Sequence, residues 1–361
     1  MKSDKIVIFL GWLAMGGAER QALYFAKFLK QRNYNVHVLG MGPAGLVSTE
    51  CNSLGIPWSS APSIHHTGFR NVHKLLQFGF LLKRLQPSVL LPYTATPNMV
   101  AGLWWKAVGA RVSVWNQRDA GLVRPHVVLE RYSAQNTPLY IANATSGHAF
   151  LRSIGVTKPI NLITNGVTPH FASNKTHARE YYNLGEKQVV YGMLANLHKG
   201  KDHVTLIKAW AKAKLKNSVL LVAGRNDGQL PILQALVQEL NVQDSVQFLG
   251  GIVDTQVWLS TLDVLIHSSF SEGCPNAVLE AMAAKLPVIG TDIPEITSLL
   301  TTPAYSFRPG DSTKLAELLE KFKNNPPLRK TIGANNLKLA NSYSIECMCN
   351  KTLNVIAPFI K

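Results

Sequence analysis

The sequence predicts an α/β protein made of two tandem, doubly wound domains. Three observations predict it. The chain has 361 residues, 46% of them hydrophobic, more than one core usually holds, because single domains stop growing at about 250–300 residues. Short β-branched runs alternate with helix-period segments along its whole length, the pattern of a parallel sheet wrapped by helices. The alternation also restarts midway, behind the turn signal Asn165-Gly166-Val167 and the polar stretch Ser173 to Arg179.

Taken in order, the first-half strands are Lys5 to Leu10, Asn35 to Gly40, Val89 to Leu91, Arg111 to Trp115, Leu139 to Asn143 and Ile160 to Thr164. Between them lie helical segments such as Ala18 to Arg32, where Ala22, Phe25, Ala26 and Leu29 share one face. The second half reads as strand Val189 to Leu194, helix Asp202 to Ala213, strand Ser218 to Ala223, helix Leu230 to Leu240, strand Val246 to Leu249, strand Val264 to His267 and a helix from Asn276. The expected bounds are 1–168 for the first domain and 169–342 for the second. The segment from about Tyr343 to the end is helical in pattern with no strand after it, so it is expected to pack back on the first domain. No repeat of solenoid length is visible.

Composition excludes several classes. Only 16% of residues are charged and no region is low in complexity, which rules out a disordered tail or an extended coil. The cysteines Cys51, Cys274, Cys347 and Cys349 are too scattered for a disulfide framework, and Cys347-Met348-Cys349 lacks a second pair for zinc. They read as reduced thiols of a cytoplasmic protein. The first apolar run, Ile6 to Leu10, is too short for a signal peptide and reads as a buried strand. The nearest approach to a membrane span, Phe78 to Leu91, is broken by Lys83, Arg84, Gln86 and Pro87.

Charge is uneven. The whole chain has 37 Lys+Arg against 21 Asp+Glu, a net +16, and residues 1–170 hold 17 against 5, a net +12. The first half therefore faces an anionic partner: a nucleic acid, a phospholipid surface or a phosphate-bearing substrate. Nucleic acid is disfavoured, because no helix-turn-helix, RNP motif or cysteine-histidine finger is present and the basic residues are dispersed.

Two loops carry chemistry. Gly11 to Arg20, with Gly16 and Gly17, follows the first strand and opens the first helix. Such glycines either let backbone N–H groups approach an anion or only make a tight turn. The spacing is not that of the dinucleotide fingerprint, which disfavours a nicotinamide cofactor. The second loop is Ser271-Glu272-Gly273-Cys274-Pro275-Asn276, again between a strand and a helix. Pro275 suits the first helical position, so the amides of Cys274, Asn276 and Ala277 would point out of the helix start as a cradle for phosphate or hydroxyl. Glu272 precedes the cradle and Glu280 lies about 6–7 Å further inside the helix at 1.5 Å per residue. The two acids bracket a ligand of the length of two sugar rings joined by phosphates. Two glutamates eight apart around a helix start also occur with no ligand.

The segment Glu272 to Glu280, with seven residues between the acids, resembles the hallmark of the retaining glycosyltransferases of family 4 (glycosyltransferase group 1), which have the GT-B fold. The resemblance spans the chain. Gly16-Gly17-Ala18-Glu19-Arg20 looks like the family's N-terminal glycine loop, and Asn165-Gly166-Val167 like its interdomain turn. Lys201-Asp202-His203 looks like its phosphate-binding lysine segment, and Val222-Ala223-Gly224 and Phe248-Leu249-Gly250 like its donor-domain strand ends. The resemblance implies two Rossmann-like domains with a cleft between them, an acceptor-binding first domain and a donor-binding second one. It implies transfer of a sugar from a nucleotide diphosphate, a UDP-sugar in preference to a GDP-sugar, with retention of configuration and without a metal or other cofactor. The acceptor would be a glycan or a lipid-linked glycan of bacterial surface polysaccharide synthesis. Carried onto this chain, Glu280 would bond the ribose and Glu272 would sit at the donor sugar. The amides of Gly273, Cys274 and Asn276 around Pro275 would hold hydroxyls and phosphate, and Lys201 would be the cation on the diphosphate. Gly224, Arg225 and Asn196 would line the donor site, and Gly16 and Gly17 would approach the same diphosphate from the first domain, so catalysis needs the cleft closed.

Two departures stand out. Asn196 occupies the place, five before the lysine, where the family has an arginine; an amide donates a hydrogen bond but supplies no charge. Lys199 or Arg225 compensates, or Lys199 is only a solvated loop charge. Arg118 takes the place of a histidine near the donor sugar. It cannot act as a base, although its fork can hold an acceptor phosphate or a donor hydroxyl. His126 is the weaker candidate for that role. These departures also admit a sugar-nucleotide-binding protein with weakened catalysis. A metal is not expected: there is no Asp-x-Asp triplet, and the adjacent His65-His66 point to opposite sides of an extended chain. On the acceptor side, Asn71 to Gln86 reads as an amphipathic helix with Val72, Leu75, Leu76 and Leu82 on its apolar face and Lys74, Lys83 and Arg84 beside it. With Trp104-Trp105-Lys106 it either rests on the anionic inner face of the plasma membrane or packs on the sheet.

Overall fold

The structure, a computed structural model, describes residues 4–64, 72–121, 127–170, 174–252 and 254–361. The chain forms two compact units, Met1–Gly166 with Ile345–Lys361, and Val167–Ser344. In the first, β1 (Lys5–Leu10), α1 (Gly17–Gln31), β2 (Asn35–Met41), α2 (Leu46–Ser53), β3 (Trp58–Ala61), α3 (Val72–Leu85), β4 (Val89–Pro92), α4 (Ala95–Trp104), β5 (Val112–Gln117), α5 (Val127–Asn136), β6 (Leu139–Ala142), α6 (Thr145–Ser153) and β7 (Ile160–Leu162) follow in turn. The strands are all parallel, in the order β3-β2-β1-β4-β5-β6-β7. The second unit runs α7 (Lys175–Tyr181), β8 (Val189–Leu194), α8 (His203–Ala213), β9 (Ser218–Ala223), α9 (Leu230–Glu239), β10 (Val246–Gly250), α10 (Thr255–Thr261), β11 (Val264–His267), α11 (Asn276–Ala283), β12 (Val288–Thr291), α12 (Pro294–Thr297), β13 (Ser306–Phe307), α13 (Ser312–Asn324) and α14 (Pro326–Ala340). Its parallel order is β10-β9-β8-β11-β12-β13. The last helix, α15 (Ile345–Ile356), belongs to the first unit.

Strands buried on both faces read as continuous apolar runs, and their period of two divides each run between two cores. In β1, Ile6, Ile8 and Leu10 join Phe25 and Leu29 of α1 and Met348 and Ile356 of α15, while Val7 and Phe9 join Phe78 and Leu82 of α3 and Met99 of α4. The second unit repeats the scheme. Tyr191 and Met193 of β8 face Trp210 of α8 and Phe322 of α13, and Val190 faces Trp258 of α10 and Met282 of α11. Each such side chain contributes about 1.5–3 kcal/mol when fully buried.

The doubly wound class is what forms, with local differences. The strands β3, β12 and β13 are absent from the sequence reading. β3 (Trp-Ser-Ser-Ala) and the two-residue β13 lie on sheet edges and carry little apolar signal, and β12 is only four residues long. β5 runs two residues further than expected, to Gln117, so Arg118 directly follows its end. Pro275 is not the first residue of α11: it is the N-cap, with extended backbone, and the helix opens at Asn276. Leu76 is not on the packed face of α3. Phe78 and Leu82 are buried there, whereas Leu76 and Phe80 are 48% and 75% exposed; the Val72 side chain lies outside the described residues. The two tryptophans, read as either membrane-facing or packed on the sheet, make contacts within the unit. Trp104 lies against Gly79, where a Cβ would come within 3.0 Å of the indole, and Trp105 Nε1 donates to the Asn136 carbonyl at 3.2 Å. Among the described residues no helix is long and apolar enough to cross a membrane.

The docking of α15 rests on apolar contact. Met348→Ala, which opens a hole between α15 and α1, is expected to cost about 2–5 kcal/mol, read as a lower urea midpoint. An unchanged midpoint would show that α15 adds nothing to the first unit.

Candidate active site

In doubly wound sheets ligands gather beyond the C-terminal strand ends, where the strand order reverses. In the second unit that point lies between β8 and β11, and the loops leaving these two strands are stitched together. Lys201 forms an antiparallel bridge with Ser269, the Asp202 N–H donates to the Ser268 carbonyl at 3.0 Å, and the Phe270 N–H donates to the Gly200 carbonyl at 3.1 Å. Asp202 caps α8, accepting from Thr205 N at 3.2 Å, and also accepts from Gly310 N at 3.0 Å. With its backbone fixed in this way, Lys201 reaches Glu272 and forms an ion pair through Oε1.

The same oxygen accepts from His267 Nε2 at 2.7 Å. Lys201, Glu272 and His267 have side-chain exposures of only 16%, 10% and 3%. Burial by itself would raise the Glu272 carboxyl, but the charges and hydrogen bonds of His267 and Lys201 outweigh it and hold the acid well below the usual carboxylate range. Glu272 is therefore ionised throughout the physiological range. Gly273, Cys274 and Pro275 follow it and lead into α11, whose first turn begins at Asn276 and which carries Glu280, half-buried, in its second turn. The partial positive charge of a helix start favours an anion in this place.

Asn196, Gly224 and Arg225 meet at the ends of β8 and β9. Gly224, at φ +151°, lies so close to the Ala195 carbonyl that any Cβ would collide with it, and its N–H donates to the Gly250 carbonyl at 2.8 Å. Arg225 Nε donates to Asp227 Oδ1 at 2.9 Å. That bond is the main reason Asp227 sits below its ordinary range, with a smaller contribution from the Asn196 amide. The Arg225 charge is thus matched by a carboxylate, and Asn196 is tied to the same acid. Lys199 is exposed, and with Lys201 and Lys208 it lines a cavity of about 550 Å³ at the start of α8. His203 lines the same cavity. Burial lowers its pKa to about 4, against the bond between its Nδ1 and the Lys201 carbonyl, so it is neutral at pH 7.

Gly16, Gly17 and Arg118 belong to the first unit, whose strand order reverses between β1 and β4. Gly16 caps α1 with extended backbone. A Cβ there would lie 2.5 Å from Glu19 Oε2, so the glycine makes room for a carboxylate folded back beneath the loop. Thr94, which opens α4 beside Gly11, has φ +73°, an uncommon conformation for a β-branched residue and a sign of local strain. Arg118 donates to Asn165 Oδ1 at 2.5 Å and to Asn116 Oδ1 at 3.4 Å, and lies 5.2 Å above the ring of the buried Tyr93. These bonds hold its fork in a fixed direction at the end of β5. His126, His65 and His66 lie outside the described residues.

Sequence reasoning missed His267 and Tyr93. The available signal for His267 was a single polar residue closing the apolar run Val264-Leu265-Ile266, five positions before Glu272. Tyr93, in a loop after an apolar strand, gave none.

Glu19 is 3% exposed and its Oε1 has no hydrogen-bond partner among the described residues. Burial raises its carboxyl from 4.5 to about 7, partly opposed by its own N–H and by the Arg118 charge. An acid whose pKa is raised by folding stabilises the native state while protonated, so that contribution is full below pH 4.5 and is lost as pH rises to about 7. Urea midpoints of Glu19→Gln should lack this term. The difference between wild type and variant should shift by up to ~3 kcal/mol across that window, whereas parallel pH profiles would contradict the burial.

Residues 15–171 match Glycosyltransferase Family 4, and residues 174–339 match Glycosyl transferases group 1. Over 123 residues the chain is 33% identical to the glycosyltransferase MJ1059 of Methanocaldococcus jannaschii, covering 33% of this chain and 30% of that protein. Over 193 residues it is 25% identical to the capsular polysaccharide biosynthesis glycosyltransferase CapM of Staphylococcus aureus, covering 52% of this chain and 51% of that one. The matched stretch thus spans about a third to a half of these curated relatives. The crystal structure of Anabaena Alr3699/HepE in complex with UDP-glucose superposes with a TM-score of 0.85 at 17% identity, covering 98% of this chain and 99% of that one, a likeness of fold. Matched in both halves and sharing the doubly wound architecture of that neighbour, the chain belongs to glycosyltransferase family 4, the group 1 glycosyl transferases, with the GT-B fold.

Proposed function

We propose that this protein is a retaining, metal-independent glycosyltransferase that moves a sugar from a nucleoside diphosphate to a glycan or lipid-linked acceptor of bacterial surface polysaccharide synthesis. The observation that carries the reading is the Lys201 and Glu272 pair beside the start of α11. Breaking a glycosidic bond to a diphosphate leaves growing negative charge on the leaving oxygens. A fixed ammonium and a helix start in a partly desolvated site stabilise that charge as it forms. An ionised carboxylate accepts hydrogen bonds from sugar hydroxyls and so orients the ring. Glu280, further along α11, is assigned to the ribose, and Gly273, Cys274, Pro275 and Asn276 to the phosphates and hydroxyls between them.

A UDP-sugar is the favoured donor, on the analogy of the Anabaena protein seen with UDP-glucose. The capsular role of CapM supports a surface glycan as acceptor. The first unit takes the acceptor in this reading, with Arg118 as the holder of a phosphate or hydroxyl. Its excess of positive charge fits a phosphate-bearing lipid or the anionic membrane that carries it. Leu76 and Phe80, exposed on α3 with Lys83 and Arg84, supply the apolar and basic groups such a surface attracts. Because Arg225 is matched by Asp227 and Asn196 carries no charge, Lys201 is the principal cation on the diphosphate, and a protein with weakened catalysis is the second reading.

Slow hydrolysis of a UDP-sugar without acceptor separates the two readings. The wild type should hydrolyse it, and Lys201→Ala or Glu272→Ala should lower the rate about 100-fold or more, with a cooperative thermal transition retained at a lower midpoint. Wild-type rates in both variants would remove the site assignment. Proton NMR of the transfer product should show the anomeric configuration of the donor, and an inverted product would contradict retention. Binding to vesicles containing phosphatidylglycerol should weaken as salt rises, and indifference to the anionic lipid would count against the membrane contact.

A further inference from the structure

We infer that His267 is a positioning residue for the proposed transfer, the partner that holds the Glu272 carboxylate in place when Lys201 turns from it to a diphosphate. The inference rests on the reading of Glu272 and Lys201 as donor-site residues. Its basis is the convergence of two donors of different kinds on Glu272 Oε1: the Lys201 ammonium and His267 Nε2, the latter at 2.7 Å.

The two donors differ in freedom. Lys201 ends a flexible four-carbon stem on a loop, and its ammonium can rotate toward any anion within reach. His267 closes β11, in register with Gly290 of β12, and its carbonyl accepts from Thr291 Oγ1 at 3.2 Å. Its ring is therefore carried on a rigid strand and is almost wholly buried. An ionised carboxylate is only an acceptor, so Nε2 must carry the proton in this bond. Nδ1 is buried without a hydrogen-bond partner among the described residues. A buried ring nitrogen with no partner is unfavourable, and leucine would fill the space without that cost. The polar contact that accounts for a histidine here is the one to Glu272.

A diphosphate entering beside Glu272 both attracts Lys201 and repels the carboxylate. Without the His267 bond, Glu272 would lose a fixed donor at the moment its direction matters to the sugar ring. The His267 bond persists through that exchange because neither its strand nor its proton is drawn to phosphate.

The test uses the full chain with UDP-glucose, UDP-galactose, UDP-N-acetylglucosamine and GDP-mannose as donor probes, reading kcat and KM for turnover, Kd for UDP, and the thermal midpoint. His267→Leu should lower kcat about 10- to 100-fold, the loss expected when a reacting group is held loosely, with KM and the Kd for UDP within about threefold of wild type. His267→Gln, whose amide N–H reaches the position of Nε2, should recover most of the rate, and the shorter His267→Asn should not. The His267→Leu, Glu272→Gln double variant should be no slower than Glu272→Gln alone. Should His267→Leu fail to fold, the Gln and Asn variants carry the comparison. Wild-type kcat in His267→Leu or equal rates in Gln and Asn, with Glu272→Gln impaired, would overturn the role of His267 alone. Wild-type kcat in Glu272→Gln, or no turnover of any probe by the wild type, would overturn the donor-site reading and the inference with it.

Discussion

Two opposite charges lie almost out of water at the end of β11, and each exists there because of the other. Removing a carboxylate and an ammonium from solvent is costly, and the pair is tolerable only when the geometry is fixed and further hydrogen bonds serve the same atoms. The backbone of the second unit meets both conditions. The bridge between Lys201 and Ser269 and the bonds from Asp202 to Ser268 and from Phe270 to Gly200 set the distance between the two loops. His267 adds the second bond to Glu272. In the proposed reading such a site is poised: a phosphate in the place of Glu272 would leave Lys201 matched, while His267 would keep its bond to the displaced acid.

The first unit answers the same sheet geometry with different chemistry. Its switch point holds a buried acid of raised pKa, Glu19, beneath a glycine that leaves room for it, and an arginine fixed by two asparagines over a tyrosine ring. The contrast follows from environment. Glu272 accepts from His267 and Lys201 and stays charged, whereas for Glu19 burial outweighs its own N–H and the Arg118 charge, and its carboxyl rises to about 7.

Legibility in the sequence followed the size of the apolar signal. Strands such as Val189–Leu194, Ser218–Ala223 and Val264–His267 were readable to the residue, because both faces are buried and the run is continuous. The edge strands β3 and β13 were not, since a strand with one neighbour can be short and polar. Acids spaced around a helix start, with the resemblance they carry, pointed to Glu272, Glu280 and Lys201. Their partners were hidden because pairing is a tertiary fact. The sequence separates Lys201 from Glu272 by 71 positions, and nothing in it joins Arg225 to Asp227 or Arg118 to Asn165. Arg225 reads in the sequence as a spare cation and is in the fold a matched one.

In the proposed function, Lys201 serves Glu272 and the donor diphosphate in turn. Calorimetric titration of UDP into Glu272→Gln isolates this exchange, because UDP has the diphosphate but no sugar for the acid to orient. If the ammonium is shared, the variant binds UDP more tightly than wild type. Unchanged or weaker binding would contradict the exchange.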